Sequence, residues 1–315
     1  GYVGTSLVDQ LIEENYKVTV YDLFIYGNHL IKSKNLNVIH GDIRDISKLK
    51  KIIVNFDAVI HLACISNDPS FDLDPNLGKS INYDPFEDLI KISKENGVRR
   101  FIYASSSSVY GIKSEKNVLE NFALKPLTDY SKFKAMCEEI TLKYNNKDFN
   151  CTIVRPATVC GYSRRQRLDV VVNILTNLAY NKKRIQIFGG EQLRPNINIF
   201  DMCNAYIQLL NQPEDKINGE IFNVGYENYS LNEIGTLVKE CVPFDIEIEN
   251  VKTNDNRSYH ISSEKIRNKI GFKNQKNIKN AIDQLIKAFQ KNLLPNSLDD
   301  EMYFNIKRMN KINLR

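Results

Sequence analysis

The chain has 315 residues, 42% of them apolar and 26% charged, and its 43 basic against 38 acidic side chains leave a net charge of +5. That length suits one large domain, or a large domain with a smaller partner, and can bury a sizeable core. The charges are interspersed, which speaks against a nucleic-acid partner, and no apolar run approaches the roughly 18 residues of a membrane span.

The chain opens on Gly1-Tyr2-Val3-Gly4, which leads directly into a helix over residues 5–15 with Leu7, Val8, Leu11 and Ile12 on one face. Glycines at the head of a helix let a pyrophosphate approach free N–H groups, where the dipole favours anions. Residues 17–22 read as a buried strand ending in Asp22. An acid at that point takes both hydroxyls of an adenosine ribose and repels a 2′-phosphate, which favours NAD over NADP. The first glycine of a three-glycine fingerprint and its preceding strand would lie before Gly1. The expectation is a record shortened by roughly ten residues, with a gap in the sheet.

Residues 57–63 read as a second buried strand. Leu77 to Glu95 is a long helix broken or bent near Pro85. Arg99 to Ser105 is a strand running into four serines, Ser105 to Ser108. Thr128 caps a helix reaching Lys143, and Cys151 to Arg155 is a strand stopped by Pro156. In the second helix Tyr130 and Lys134 stand four residues apart, one above the other on a single face. A lysine ammonium near a phenol favours the phenolate, and a serine hydroxyl can hold a substrate oxygen in line. Together they are the equipment for taking a proton from an alcohol while a hydride leaves its carbon.

Beyond residue 165 come helices near 168–181, 231–240 (capped by Ser230) and 277–291, among short strands. The tail from Pro295 to Arg315 is polar and rich in Lys and Asn, and the pattern leaves it either packed or frayed. The six cysteines form no C-x-x-C or metal-type spacing, and several sit in apolar stretches. This fits a reduced, cytoplasmic protein without a metal.

In order, these motifs resemble the extended short-chain dehydrogenase/reductases, specifically the NAD-dependent nucleotide-sugar epimerase/dehydratase group. Further motifs carrying the resemblance are Gly41-Asp42-Ile43-Arg44-Asp45, His61-Leu62-Ala63, Asn82, Ser105 to Gly111, Tyr130-Ser131-Lys132-Phe133-Lys134, Arg155-Pro156, Phe188-Gly189-Gly190, Arg194 before a strand ending in Asp201, and Arg257 before Ser262-Ser263-Glu264-Lys265. The resemblance implies an α/β fold: a Rossmann-type doubly wound parallel sheet with a smaller C-terminal α/β domain. Residues 1–165 would bind NAD, 166–295 would cover the substrate, part of 190–225 would return to the first domain, and 296–315 would form a tail.

By position, the resemblance makes Ser106, Tyr130 and Lys134 catalytic. It places NAD on Gly1, Tyr2, Val3, Gly4, Asp22, Asp42, Ile43, Ala63, Tyr130, Lys134 and Pro156, with Asp42 and Ile43 at the adenine. It places a nucleotide-diphosphate sugar on Ser107, Ser108, Thr158, Arg194 and Arg257. It also implies a homodimer through the helices near 77–95 and 128–143. Dehydratases of the group carry Asp and Glu where Ser107 and Ser108 stand, and serine titrates too far from neutrality to replace them. That disfavours a 4,6-dehydratase and a uronate decarboxylase. A 4-reductase/3,5-epimerase is disfavoured too, since it places Cys where Ser108 stands. Thr158 stands where many members show Asn. The stretch from Arg155 to Ser163, followed by Arg165 to Asp169, resembles a subgroup tied to surface-polysaccharide sugars, including nucleotide-heptose 4-dehydrogenases. The leading expectation is a nucleotide-sugar 4-epimerase. A 4-dehydrogenase or ketoreductase comes second, and a non-catalytic dinucleotide-binding protein or inactive fragment is the reading from another class.

Overall fold

The computed structural model describes residues 1–113, 115, 117–253, 258, 260–312 and 314. Helix α1 (Tyr2–Glu13) buries Leu7, Val8 and Leu11. It is followed by β1 (Val18–Asp22) and β2 (Leu36–His40), which pair in parallel. Helix α2 (Ile46–Ile52), capped by the Asp45 side chain, leads to β3 (Ala58–His61). After the single turn α3 (Asp68–Phe71), the expected long helix is two, α4 (Pro75–Asn82) and α5 (Phe86–Glu95). Pro75 starts α4, where its missing N–H is no loss. Pro85 interrupts the ladder between the two, as its missing donor requires. Strand β4 (Arg100–Ala104), helix α6 (Asp129–Tyr144) and strand β5 (Asn150–Pro156) follow.

The chain then weaves between two regions: β6 (Thr158–Cys160), α7 (Val171–Lys182), β7 (Arg184–Phe188), β8 (Leu193–Asn198), α8 (Ile199–Asn211), α9 (Glu214–Ile217) and β9 (Ile221–Val224). It finishes with β10 (Glu227–Ser230), α10 (Leu231–Cys241), β11 (Glu247–Val251), α11 (Glu264–Ile270), α12 (Ile278–Gln290) and α13 (Asn305–Ile312). Asp201 does not end a strand: β8 stops at Asn198, and Asp201 lies in the first turn of α8. There its carboxylate accepts the backbone N–H groups of Gln275 and Lys276 at 3.0 and 2.9 Å.

The main sheet runs in the order β3-β4-β5-β9, all parallel. The β1–β2 pair is not hydrogen-bonded to it. An apolar slot lined by Val18, Val20, Ala58 and Ile60 separates β1 from β3 and is continuous with the cavity described below. Strands buried on both faces read as near-continuous apolar runs, and β4 and β5 do. Helices α1 and α8 cover one face with Leu7, Leu11, Met202 and Tyr206, and Phe86, Leu89 and Ile90 of α5 cover the other. Thus α8 and β9, from residues 190–225, and Ile261, Ile266 and Phe272 pack into the same core as the first half of the chain. A second lobe holds the β10-β8-β6 and β11-β7 sheets against α7, α10 and α12.

Candidate active site

Helix α6 carries the proton-handling pair, and its start is fixed twice. Thr128 and Ser131 form a reciprocal capping box, and the Thr128 hydroxyl donates to Asp68 Oδ1 at 2.5 Å. The buried face of α6 presents Tyr130, 8% exposed, and Lys134, 5% exposed. Strand β4 aims Ser105 and Ser106 at this face. Ser106 begins a 3-10 turn over Ser107–Tyr110; its Oγ accepts Ser108 N–H at 3.1 Å and lies 2.8 Å from Ser108 Oγ. Gly111 ends that turn with φ +68°, and a Cβ there would lie 2.1 Å from the Lys125 carbonyl oxygen, so only glycine fits.

Behind the pair, α6 is locked to the sheet by a buried ion pair. Arg155 donates through Nε and Nη2 to Glu138 at 2.9 and 2.6 Å, and through Nη1 to Tyr110 Oη at 2.7 Å. Tyr110 in turn donates to Asn223 Oδ1 of β9 at 2.7 Å, and Ser105 Oγ donates to Glu138. The sequence reading named Arg155 only as part of a motif and missed Glu138, Tyr110 and Asn223 as a unit. The available signal was Glu138 itself, one turn beyond Lys134 on the same apolar-flanked face.

Burial dominates the electrostatics of Tyr130. Burial pushes the Tyr130 phenol well above its ordinary range, and Cys64 and Asp68 push the same way. The leading groups that oppose them are Arg167 and the Ser106 hydroxyl. Lys134 Nζ instead donates to the Ala104 carbonyl at 2.6 Å and stands 5.0 Å from the Tyr103 ring centre and 5.9 Å from that of Tyr130. Its charge is felt at His61, whose imidazole is pushed down to about 3 by burial first and Lys134 second.

Tyr130, Lys134 and Ser106 to Ser108 line a cavity of about 1100 Å³, a volume that includes the slot between β1 and β3. Gly1, Tyr2, Val3, Gly4, Asp22, Ile43, Ala63 and Pro156 line it too, with Thr158 and Arg194. Tyr2 is also a brace, donating to the Gly161 carbonyl at 2.6 Å. Asp42 does not line the cavity. Its carboxylate accepts Arg44 Nε and Nη2 at 3.0 and 2.6 Å, whereas its neighbour Ile43 lines the cavity. Arg257 lies outside the described residues.

The residues suit a dinucleotide. No side chain caps the head of α1, and a Cβ on Gly1 would meet no atom within 4 Å. Asp22 ends β1 at that point, with its side chain 32% exposed. Arg165 and Arg167 also enter the cavity, each with a buried N–H that has no hydrogen-bond partner among the described residues. Sequence reasoning noted their segment without assigning them to the site. Their signal was the alternation of Arg165, Arg167 and Asp169 in a stretch with no helical period.

Residues 1–225 match the NAD dependent epimerase/dehydratase family. A putative UDP-glucose 4-epimerase of Methanocaldococcus jannaschii is 27% identical over 305 residues, spanning 93% of this chain and 96% of the relative. The UDP-glucose 4-epimerase of Lactobacillus helveticus is 26% identical over 265 residues, 78% of this chain and 80% of that protein. Among solved structures, a UDP-glucose 4-epimerase of Thermotoga maritima with UDP-glucose superposes with a TM-score of 0.82 at 23% identity, covering 93% of this chain and 97% of its own.

Proposed function

This chain belongs to the NAD-dependent epimerase/dehydratase family, and we propose that it is a nucleotide-sugar 4-epimerase that oxidises a sugar hydroxyl transiently to a ketone. The observation that carries this reading is the convergence of Ser106, Tyr130 and Lys134, from a strand end and one helix face, on a single cavity. Next to Ser106 stand Ser107 and Ser108, which supply no acid or base for dehydration. The curated relatives with 26–27% identity that align over most of the chain carry 4-epimerase names.

When bound, NAD+ supplies the hydride acceptor and the positive charge that makes a nearby phenol more acidic. Tyr130 then takes the proton of the sugar hydroxyl as its carbon is oxidised. It returns the proton when the ketone is reduced from the other face, so there is no net redox change. Ser106 donates to the reacting oxygen and steadies its developing charge. Lys134, anchored on the Ala104 carbonyl, keeps further N–H groups for the nicotinamide ribose. Asp22 holds the adenosine ribose, and Ser107, Ser108, Thr158 and Arg194 face the nucleotide-diphosphate sugar.

Two finer readings go with this. The protein is cytoplasmic, which its six free cysteines suit; among the described residues no helix is long and apolar enough to cross a membrane. It is a homodimer through α4, α5 and α6.

Incubation with UDP-, GDP-, CDP- and dTDP-sugars tests the central reading. One of these sugars should turn over to its 4-epimer without net NADH. Tyr130→Phe should lower that rate by about 10²–10⁴-fold. Full activity in Tyr130→Phe would sink the mechanism, and stoichiometric NADH with a released ketone would replace the epimerase by a dehydrogenase.

A further inference from the structure

The segment between β6 and α7 brings two arginines into the cavity, and the mechanism above assigns neither of them a ligand. Arg165 is 3% exposed. Its Nη2 donates to Asn305 Oδ1 at 2.8 Å, and its guanidinium centre lies 3.7 Å from the centre of the Tyr26 ring. Its Nε is buried without a hydrogen-bond partner among the described residues. Burial pushes Arg165 down to about 10 against the opposing pull of Tyr26, and the like charge of Arg167 adds to the fall. Arg167 donates through Nε to Asp169 Oδ1 at 2.5 Å and through Nη1 to Ser66 Oγ at 3.2 Å, while its Nη2 is buried without a partner among the described residues. Asp169 forms an ion pair with Arg167, and its charge also bears on Arg165. Buried cations with free donors are costly unless an anion completes them.

Position identifies the anion. Tyr26, stacked on Arg165, belongs to the loop that follows Asp22 at the end of β1. Ser163, two residues before Arg165, donates through Oγ to the Tyr2 carbonyl at 3.0 Å, which ties this segment to the first turn of α1. The head of α1, a helix of 12 residues, carries no side-chain cap hydrogen bond among the described residues. A helix head on one side and a guanidinium fork on the other match the geometry of a diphosphate. The C-terminal segment holds the fork. Besides accepting from Arg165, Asn305 donates through its backbone N–H to Asp169 Oδ2 at 2.7 Å and through Nδ2 to Ser66 Oγ at 3.2 Å. Arg308 reaches back to the Ile25 carbonyl at 2.6 Å, and Met309 is buried in the core with Ile43 and Ile65.

We propose that Arg165 and Arg167 form the cationic wall of the dinucleotide's diphosphate site, opposite the head of α1, and that α13 sets their position through Asn305. This rests on the NAD-dependent reading above. It makes Arg165 and Arg167 cofactor ligands and Asn305 a positioning residue for them.

Calorimetric titration of the nucleotide-free protein with NAD+, adenosine and UDP tests it. Arg165→Gln should weaken NAD+ about tenfold or more, the size of a lost charged hydrogen bond. Adenosine, which has no phosphate, and UDP should stay within about twofold. Asn305→Ala keeps both arginines and should weaken NAD+ about threefold or more, with adenosine unchanged; it carries the test if Arg165→Gln does not fold by circular dichroism. NAD+ affinity unchanged in a folded variant overturns the proposal, as does a loss shared equally by adenosine. A loss confined to UDP moves the arginines to the sugar nucleotide and overturns it too. Failure of the parent protein to bind NAD+ would instead overturn the NAD-dependent reading itself.

Discussion

At Tyr130 two demands meet. The phenol must be buried to exclude water from a reacting ketone, and burial is the largest influence raising its pKa. The chain's own relief comes from Arg167 and Ser106, and the working base needs the further positive charge of an oxidised nicotinamide. Lys134 serves differently, as an anchored donor on the Ala104 carbonyl. His61, packed among Phe86, Phe101 and Tyr103, shows the cost of burial for a second titratable group. Its folded pKa of about 3 lies below the ordinary 6.5, so the unfolded chain binds a proton that the folded chain refuses. His61 therefore leaves stability intact above about pH 6.5 and erodes it as pH falls toward 3, by about 1.4 kcal/mol per unit. Urea unfolding of His61→Leu between pH 6.5 and 4 should give a shallower pH dependence than the parent. Parallel curves for the two proteins would contradict this.

Among the elements, α6 is the one on which the site depends. Its first turn is tied to Asp68, its middle to β5 and its end to α5, where Lys143 meets Glu87 at 2.9 Å. The last of these is exposed and contributes little. The Glu138–Arg155 pair is different, since both side chains are 3% exposed. Removing one partner leaves a buried charge uncompensated. Glu138→Ala should cost about 3–5 kcal/mol in denaturant unfolding and lower activity through displacement of Tyr130 and Lys134. A loss below about 1 kcal/mol would mean that the pair is not carrying that load. The helix signals were legible because caps and periodicity act within a turn or two. Thr128, Ser230 and the break at Pro85 were read directly and stand where expected.

For the molecule as a whole, the C-terminal tail joins the regions that the fold brings together. Its contacts reach β1's following loop, the Ser66 loop and the Arg165 segment. The outer side of α6 carries exposed Met136 between half-buried Phe133 and Ile140, an apolar stripe beside α4 and α5. If that stripe is a dimer face, light scattering should give twice the chain mass of 36.4 kDa. Met136→Lys should then give the single-chain mass with its circular dichroism unchanged. A parent at single-chain mass would remove the homodimer. By itself the sequence determined what depends on near neighbours: the alternation of strands and helices, the Tyr130–Lys134 spacing, the serine turn, and an acid at the end of β1. It also carried the family resemblance, since ordered short motifs survive low overall identity. The tertiary structure alone decided how deeply Tyr130 is buried, that Asp42 pairs with Arg44, and that the polar tail packs. It alone also brought Arg165 and Arg167 into the cavity. Those outcomes depend on side chains far apart in sequence sharing a low-dielectric space, where burial and long-range charge outweigh any local pattern.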